Sequence, residues 1–378
     1  MSGLAEILLE EHFTISGSDA KESELTKQLA QSGAVIYYGH SADQIKPEYD
    51  LVVYTAAVHE DNPEYQAAVA AKIPMLSRAE LLGQIMNNYP LSCAVAGTHG
   101  KTTTTSMITQ ILLSAESDPT ISVGGILPSI GGNIRVGHSD YFVTEACEYT
   151  NSFLHFYPKY SIILNIEEDH LDFFKDLDDI RSSFCSFAHN TAADGAIIVN
   201  SEIKDILSLM EGIEPEIITY GFQPSCDFYP EDITYHENGC AHFRIMRRVK
   251  ETRFEPAESK NTATFYCSAR TEEVCHVSLS VPGRHNISNA LAAAALAMQL
   301  KIPVTAISKG LGLFQGTDRR FQYKGQFHGV TVIDDYAHHP TEIAATLGAA
   351  ADYPHKRIIC VFQPHTYTRT KAFLDSFA

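Results

Sequence analysis

Basic residues and long apolar runs are scarce in this 378-residue sequence. Its 28 lysines and arginines stand against 46 aspartates and glutamates, so the formal net charge is −18. Such an acidic chain is a poor candidate for non-specific binding of nucleic acid or anionic membranes. No stretch reaches the ~18 apolar residues of a membrane span. The first lysine or arginine is Lys21, so the N-terminus does not resemble a signal peptide. We therefore expect a cytoplasmic protein without nucleic-acid or membrane partners.

Paired cysteines are also absent. The eight cysteines show no CxxC pairing and no metal-ligand spacing. Several, including Cys93 and Cys185, lie in apolar or small-residue runs, where a free buried thiol is the ordinary finding. The pattern favours a reducing compartment.

The composition, with 44% hydrophobic and 20% charged residues, is that of a globular protein, and the length predicts two or three domains. Short strands alternate with helical patterns over the first ninety residues, beginning with a strand at 13–16 and a turn at 17–19. One helix is predicted to begin at Asn62-Pro63, where asparagine can cap and proline can take the first helical position. This alternation is typical of a parallel sheet covered by helices.

Two further units follow. The second opens with a strand at 92–96, contains an antiparallel pattern over 220–281, and is predicted to close with a helix at 286–300. The third starts near Arg320. Its predicted elements are strands at 331–334 and 357–362 and a helix after Pro340.

A glycine loop lies between the strand at 92–96 and the next helix, which is the context that a phosphate-binding loop requires. Its glycines let backbone N–H groups turn towards phosphates, Lys101 neutralises charge, and Thr102 can reach magnesium. Valine at position 95 makes it the shorter G-x-x-G-K-T variant. The sequence predicts that ATP is held by Gly97, Thr98, His99, Gly100, Lys101, Thr102 and Thr103.

Polar side chains also follow two other predicted strands. Glu145 ends one, and Asp169-His170 follow another, so in a parallel sheet both lie at the edge beside the glycine loop. We expect Thr102, Glu145 and His170 to hold Mg²⁺, since a hard ion prefers oxygen ligands. Taken alone, Glu145 and Asp169 are better explained as strand-end caps and His170 as a loop histidine, but together with the glycine loop they favour the metal site.

Several motifs together resemble the Mur ligase family, in the family's order and over essentially the whole chain. They are AGTHGKTTTT at 96–105, TEACE at 144–148, NIEEDHLD at 165–172, GRHNISNALAA at 283–293, DRRFQ at 318–322 and DDYAHHPTE at 334–342. The resemblance implies an α/β architecture of three domains. These are a Rossmann-like UDP-sugar domain at 1–89, a central P-loop ATPase domain at 90–317, and an incomplete Rossmann-like amino-acid domain at 318–378.

Within the family the chain looks most like the branch that adds L-alanine to UDP-N-acetylmuramate in peptidoglycan synthesis. The implied reaction uses ATP and Mg²⁺, passes through an acyl phosphate, and ends in an amide. The alternatives are the ligase that reattaches a recycled tripeptide to UDP-N-acetylmuramate, a folate polyglutamylating enzyme, and a nucleotide-binding relative without turnover. The oligomeric state is left open.

The resemblance also implies roles for individual residues. Lys101, Glu145 and His170 are the expected catalytic residues. Around ATP, His285 and Asn289 are expected to contact adenine. The phosphates or ribose are expected to contact Arg320 and Asp335. The amino acid is expected to bind among Tyr336, His338, His339 and Arg369. The sugar nucleotide is expected to contact Ser2, Gly3, Ser18, Asp19, Asn133 and Arg135.

Three departures from the family pattern matter. No lysine lies between Asp176 and Glu202, so no carbamylated lysine is predicted, and Thr366 stands where many members have arginine. Both ends of the pattern are missing. We therefore expect a fragment that is a weak or inactive ligase, with a stable central domain and easily proteolysed residues after Arg320.

Overall fold

The computed structural model describes residues 1–236, 238–256 and 263–377. We call residues 1–89 the N-terminal unit, 90–317 the central unit and 318–377 the C-terminal unit. The elements of the N-terminal unit are α1 (Ser2–Glu10), β1 (Ser16–Asp19), α2 (Glu24–Gln31), β2 (Val35–Tyr38), β3 (Val52–Tyr54), α3 (Pro63–Ala70), β4 (Met75–Ser77) and α4 (Arg78–Met86). The strands form two separate parallel pairs, β1 with β2 and β3 with β4.

The predicted alternation of strands and helices in the N-terminal unit is confirmed, but one boundary is wrong. The residues Gly17, Ser18 and Asp19 were expected to form a turn, and they extend β1 instead. Although these residue types favour turns, they are extended here because parallel pairing with β2 satisfies their backbone hydrogen bonds. The predicted helix start is confirmed, since Asn62 Oδ1 accepts a hydrogen bond from the Glu64 N–H at 2.9 Å.

The central unit is built on a ten-stranded sheet. Its elements are β5 (Leu91–Ala96), α5 (Lys101–Ser114), β6 (Thr120–Leu127), β7 (Gly132–Arg135), β8 (Tyr141–Ala146), β9 (Tyr160–Ile163), α6 (Leu177–His189), β10 (Ala196–Asn200), α7 (Ile206–Leu209), β11 (Glu216–Tyr220), β12 (Phe228–Tyr235), β13 (Cys240–Pro256), β14 (Ala263–Pro282), α8 (Arg284–Gln299) and α9 (Val304–Leu313). The strand order is β14-β13-β12-β11-β10-β9-β5-β8-β6-β7. The antiparallel pairing of β12, β13 and β14 confirms the predicted pattern over 220–281.

The middle of this sheet is parallel and buried on both faces. Strand β5 pairs with β8 on one side and β9 on the other, so Ala96 lies beside Ala146 and Ile163. One hydrophobic cluster joins the sheet to α5, α8 and α9, and the second joins it to α1, α4 and α6. Burial on both faces explains the continuous apolar run of β5. The carboxyl ends of β5, β8 and β9 therefore meet at one edge.

The C-terminal unit contains β15 (Gln322–Phe327), β16 (Val330–Asp334), α10 (Pro340–Ala351), α11 (Tyr367–Ala372) and α12 (Leu374–Phe377). Strands β15 and β16 form an antiparallel hairpin. The prediction of a strand at 357–362 is wrong: these residues have no strand partner, and Val361 is 94% exposed. An apolar run does not form a strand without a neighbour for its backbone groups. Among the described helices, none is long and apolar enough to cross a membrane.

Candidate active site

The glycine loop runs from the end of β5 to the start of α5 and is pressed against two neighbours. Gly97 has φ 147° and Gly100 has φ 83°. A Cβ added at Gly97 would lie 2.9 Å from Cβ of Leu164, and one at Gly100 would lie 2.9 Å from Oδ1 of Asn289. Both positions therefore require glycine, for backbone conformation and for space. This approach brings α8 to the first turn of α5.

Lys101, the first residue of α5, forms a buried ion pair that the sequence did not predict. Its Nζ lies 2.9 Å from Oε2 of Glu148, which is 2% exposed, and it also donates to the Gly97 and Thr98 carbonyls at 2.5 and 3.2 Å. Burial lowers the pKa of Lys101, but Glu148 outweighs it and the net pKa is raised. The lysine is therefore an ammonium group, folded back over its own loop.

Glu145 lies beside the glycine loop because β8 pairs in parallel with β5. Its Oε1 accepts a hydrogen bond from the Gly124 N–H at 2.5 Å. Burial raises the pKa of Glu145, opposed by hydrogen bonds from Gly124 and from the Thr102 hydroxyl. A carboxylate next to a hydroxyl is the hard-oxygen donor set that Mg²⁺ prefers, so Thr102 and Glu145 fit such an ion.

His170 lies in a loop after β9 with φ 52°, and its ring stacks on Tyr149 at a centroid distance of 4.5 Å. Its Nε2 is 3.8 Å from Oε1 of Glu148 and 3.8 Å from Oδ2 of Asp169. The described polar neighbours of His170 are these two carboxylates, not Glu145. Glu148 thus lies between Lys101 and His170.

The smaller of two cavities, with a volume of about 180 Å³, is lined by most of the residues predicted to bind ATP. It is lined by His99, Gly100, Thr102, Thr103, His285, Asn289, Arg320 and Asp335. Gly97, Thr98 and Lys101 do not line it. Burial lowers the pKa of His285, which favours the neutral imidazole. Asp335 is engaged by the Phe321 and Ala337 N–H groups at 2.8 and 2.7 Å, so it shapes the loop that carries Arg320.

The larger cavity, with a volume of about 620 Å³, is lined by most of the residues predicted to bind the amino-acid substrate. Tyr336, His338 and Arg369 line it, together with His170 and Tyr149. His339 does not line it and is 4% exposed. Its Nδ1 accepts from the Thr341 N–H, so its Nε2 donates to the Glu168 carbonyl at 3.0 Å. His339 therefore caps α10 and joins it to the central unit.

The ring of His339 also lies near His99 and Glu167, with ligand atoms of all three within 4.8 Å of one another. A metal ion held there would need a free lone pair on each imidazole. Both nitrogens of His339 are already engaged in hydrogen bonds. These residues therefore do not fit a metal site as they stand.

The predicted sugar residues fall into two groups. Gly3 packs on Ile134, which brings the start of α1, with Ser2, beside the strand that carries Asn133. Arg135 is engaged elsewhere, since its guanidinium donates to the Asp118 carboxylate at 2.5 Å and the Pro119 carbonyl at 2.6 Å. At the end of β1, the Ser18 hydroxyl donates to Oε2 of Glu64 at 2.7 Å and Asp19 accepts from the Lys21 N–H at 3.2 Å.

Arg369 and Asp169 join the C-terminal and central units by a two-pronged ion pair. The guanidinium Nε and Nη2 donate to Oδ1 and Oδ2 of Asp169 at 2.9 and 3.1 Å, and each side chain is 8% exposed. Burial raises the pKa of Asp169, but the charges of His170 and Arg369 outweigh it, and the net pKa is lowered. The pair positions α11 against the loop that carries His170.

Three family models match the chain. "Mur ligase family, catalytic domain" matches residues 1–90, "Mur ligase middle domain" matches 95–297, and "Mur ligase, glutamate ligase domain" matches 319–378. The chain belongs to the Mur ligase family. The resemblance inferred from the motifs is confirmed, as is the α/β architecture of the family.

Comparisons with individual proteins point to the same family. A UDP-N-acetylmuramate–L-alanine ligase of Agathobacter rectalis is 62% identical over 378 residues, covering 100% of this Mur ligase chain and 78% of the relative. The enzyme of that name from Caldanaerobacter subterraneus is 50% identical, covering 100% and 77%. The crystal structure of a UDP-N-acetylmuramate-alanine ligase from Thermotoga maritima superposes with a TM-score of 0.76 at 29% identity, covering 99% of this chain and 80% of that one.

Four polar residues of this Mur ligase site were not among the site residues predicted from the sequence. Asn286 lines the smaller cavity and donates to the Pro282 carbonyl at 2.7 Å. Glu148 pairs with Lys101, while Glu167 and Glu342 both face His99. All four lie inside motifs already noted, namely TEACE, NIEEDHLD, GRHNISNALAA and DDYAHHPTE. For the three glutamates, their acidic character next to a phosphate-binding loop was the available signal.

Replacing Arg369 by alanine is expected to weaken the C-terminal unit by about 3 kcal/mol, because Asp169 is left buried without its cation. Chymotrypsin cleavage at Tyr367, which is 97% exposed at the start of α11, provides the measurement. Faster cleavage than in the wild type is expected for Arg369→Ala, and partial recovery for the double variant with Asp169→Asn. The exposed Lys371→Ala change on the same helix is the control. Equal cleavage rates in Arg369→Ala and Lys371→Ala would contradict the assigned role.

Proposed function

We propose that this chain uses ATP to join the amine of L-alanine to the lactyl carboxylate of UDP-N-acetylmuramate, releasing ADP and phosphate. The observation that carries the proposal is the position of Glu148. Its carboxylate lies 2.9 Å from Lys101 of the glycine loop and 3.8 Å from His170 on the wall of the larger cavity. A phosphoryl group leaving a nucleotide on the loop would enter the region between these residues. The name of the 62% identical relative supports the same reaction.

The first step brings two anions together, the lactyl carboxylate and the γ-phosphate, and forms an acyl phosphate. Lys101 would leave Glu148 and neutralise the transferring group, since a fixed cation stabilises charge that develops in the transition state. Thr102 and Glu145 are the groups that would hold Mg²⁺, which when bound spreads the negative charge of the phosphate oxygens. Arg320, which lines the smaller cavity, would add a second cation from the C-terminal unit.

The second step needs an amine held close to the acyl carbon. Tyr336, His338 and Arg369 line the cavity that contains His170, so we propose that the amino-acid carboxylate binds among them. Holding both reactants in one cavity supplies much of the rate by positioning. Residues 1–89, 90–317 and 318–378 would then serve the sugar nucleotide, ATP and the amino acid respectively, in the cytoplasm.

The larger cavity holds far more than the side chain of alanine requires, so a ligase that uses a tripeptide in place of alanine is the second candidate. A ligase from Neisseria meningitides named for the tripeptide L-alanyl-γ-D-glutamyl-meso-diaminopimelate superposes with a TM-score of 0.70 at 25% identity. It covers 84% of this chain and 96% of that one. Neither the cavity volume nor this fold similarity identifies a residue that would contact a tripeptide. The reaction with L-alanine therefore remains the proposal.

The expected result with ATP, Mg²⁺ and UDP-N-acetylmuramate is ADP release that depends on L-alanine. Glycine, L-serine and the tripeptide are tested in turn, and the amide product is identified by mass. Tripeptide-dependent release without alanine-dependent release would support the second candidate instead. Binding of Mg·ADP with no release under any acceptor would indicate a nucleotide-binding relative without turnover.

A further inference from the structure

His99 is the residue of the glycine loop that reaches the C-terminal unit. Its Nδ1 lies 3.3 Å from Oε1 of Glu342 on α10, and the side chain is 12% exposed. Its backbone N–H donates to Oδ1 of Asn165 at 2.7 Å, which holds the residue in place at the edge of the sheet. The imidazole is thus directed from the loop towards α10.

A carboxylate from each unit flanks this imidazole. From the central unit, Oε2 of Glu167 lies 3.5 Å from Nε2 of His99 and also accepts from the Thr341 hydroxyl at 2.6 Å. From the C-terminal unit, Glu342 also pairs with Nη1 of Arg320 at 3.2 Å. His99 therefore separates two acidic groups that would otherwise face each other across the boundary between the units.

The groups around His99 determine its charge. Burial lowers its pKa, but the neighbouring carboxylates of Glu167 and Glu342, at 3.5 and 3.3 Å, outweigh burial and raise the pKa to about 9. The pKa of His339, the other titratable group packed on its ring, is lowered by burial and by the charge of His99. Arg320 acts on Glu342, whose pKa is lowered. At neutral pH His99 is therefore an imidazolium between two carboxylates.

The same side chain lines the smaller cavity, next to Gly100 and Thr102. A bound nucleotide would add negative charge beside Glu167 and Glu342, and the imidazolium offsets it. We propose that His99 is a positioning residue that couples nucleotide binding on the glycine loop to the docking of α10. The inference rests on the proposed function only in taking the nucleotide to be ATP or ADP.

The pH dependence follows from the raised pKa. Stabilisation of the docked state by a group whose pKa is raised on docking is fully present below the ordinary value of 6.5 and is lost as pH rises through about 9. Glu167 belongs to the same unit as His99 and stays beside it in either state, so only the part of the rise in pKa that Glu342 causes weakens docking above pH 9. Docking of α10 should therefore be firm at pH 6.5 and loose at pH 9.5.

The test is hydrogen–deuterium exchange of residues 340–351 in the full chain, corrected for intrinsic rates, with and without Mg·ADP. In the wild type, protection is expected to fall at least tenfold between pH 6.5 and 9.5 and to rise when Mg·ADP is added at pH 7. In His99→Gln both responses should be lost, and His99→Lys should restore part of the protection. His138→Gln, an exposed histidine of the central unit, is the matched control.

Protection of 340–351 in His99→Gln that follows the wild type at both pH values and with Mg·ADP would overturn the inference. Glu342→Gln supplies a second variant, and it should remove the same pH response even if His99→Gln folds poorly. Because the measurement needs no acceptor substrate, a chain that shows the coupling but never forms an amide would refute the proposed function alone.

Discussion

Lys101→Ala is expected to lower the rate of ADP release by about a hundred- to a thousand-fold, the cost of losing a preorganised charge contact in the transition state, roughly 3–4 kcal/mol. The structure adds a second effect. Glu148 is 2% exposed, and without Lys101 its carboxylate keeps only His170, at 3.8 Å; loss of one partner of a buried ion pair typically costs about 3–5 kcal/mol of stability. Loss of activity in this variant would therefore be ambiguous by itself.

The double variant Lys101→Ala/Glu148→Gln separates the two effects. Removing both charges should restore the free energy of unfolding, measured by urea denaturation, while the rate of ADP release remains low. A double variant that recovers both stability and activity would mean that Lys101 serves the fold and not the phosphate.

Glu145→Gln is expected to lower the rate by about a hundred-fold and to raise the Mg²⁺ concentration needed for half-maximal ADP binding by at least about tenfold. The reason is that an amide keeps the shape of the side chain but lacks the negative charge that a hard cation requires. Calorimetric titration of ADP at several Mg²⁺ concentrations measures the shift without relying on turnover. Asp140→Asn, an exposed change just before the other end of β8, is the matched control.

His170→Ala combined with Glu145→Gln tests whether one cation cluster involves both residues. Strong non-additivity in the Mg²⁺ requirement is expected if it does. Additive effects would mean that His170 interacts with Glu148 and Asp169, the two carboxylates that it faces in the structure, and is not the metal ligand predicted from the sequence.

The sequence was informative wherever a short-range rule determines the structure. Parallel pairing places the ends of β5, β8 and β9 together, so the proximity of Glu145 to the glycine loop followed from strand recognition alone. The cap at Asn62 followed in the same way. Local patterns of this kind survive folding because the contacts that satisfy them lie a few residues away.

Long-range contacts account for what was missed. Glu342 meets His99 across more than two hundred residues, and Glu148 matters because Lys101 folds back towards it. Neither contact leaves a periodic trace in the sequence. The expected strand at 357–362 was wrong for a related reason, since a strand depends on a partner that its own residues do not specify.

The order of strands in the central sheet also has a consequence for the newly made chain. Strand β5 ends at Ala96, but its neighbour β9 spans Tyr160–Ile163, and the Asn289 side chain that packs on Gly100 comes later still. At about 5–20 residues per second, roughly 10–40 s separate synthesis of the loop from synthesis of that helix. β5 has no partner on its β9 side until Ile163 is made, and the loop lacks α8 until Asn289 is made, so we expect the ribosome-bound chain to rely on chaperones before it first binds nucleotide.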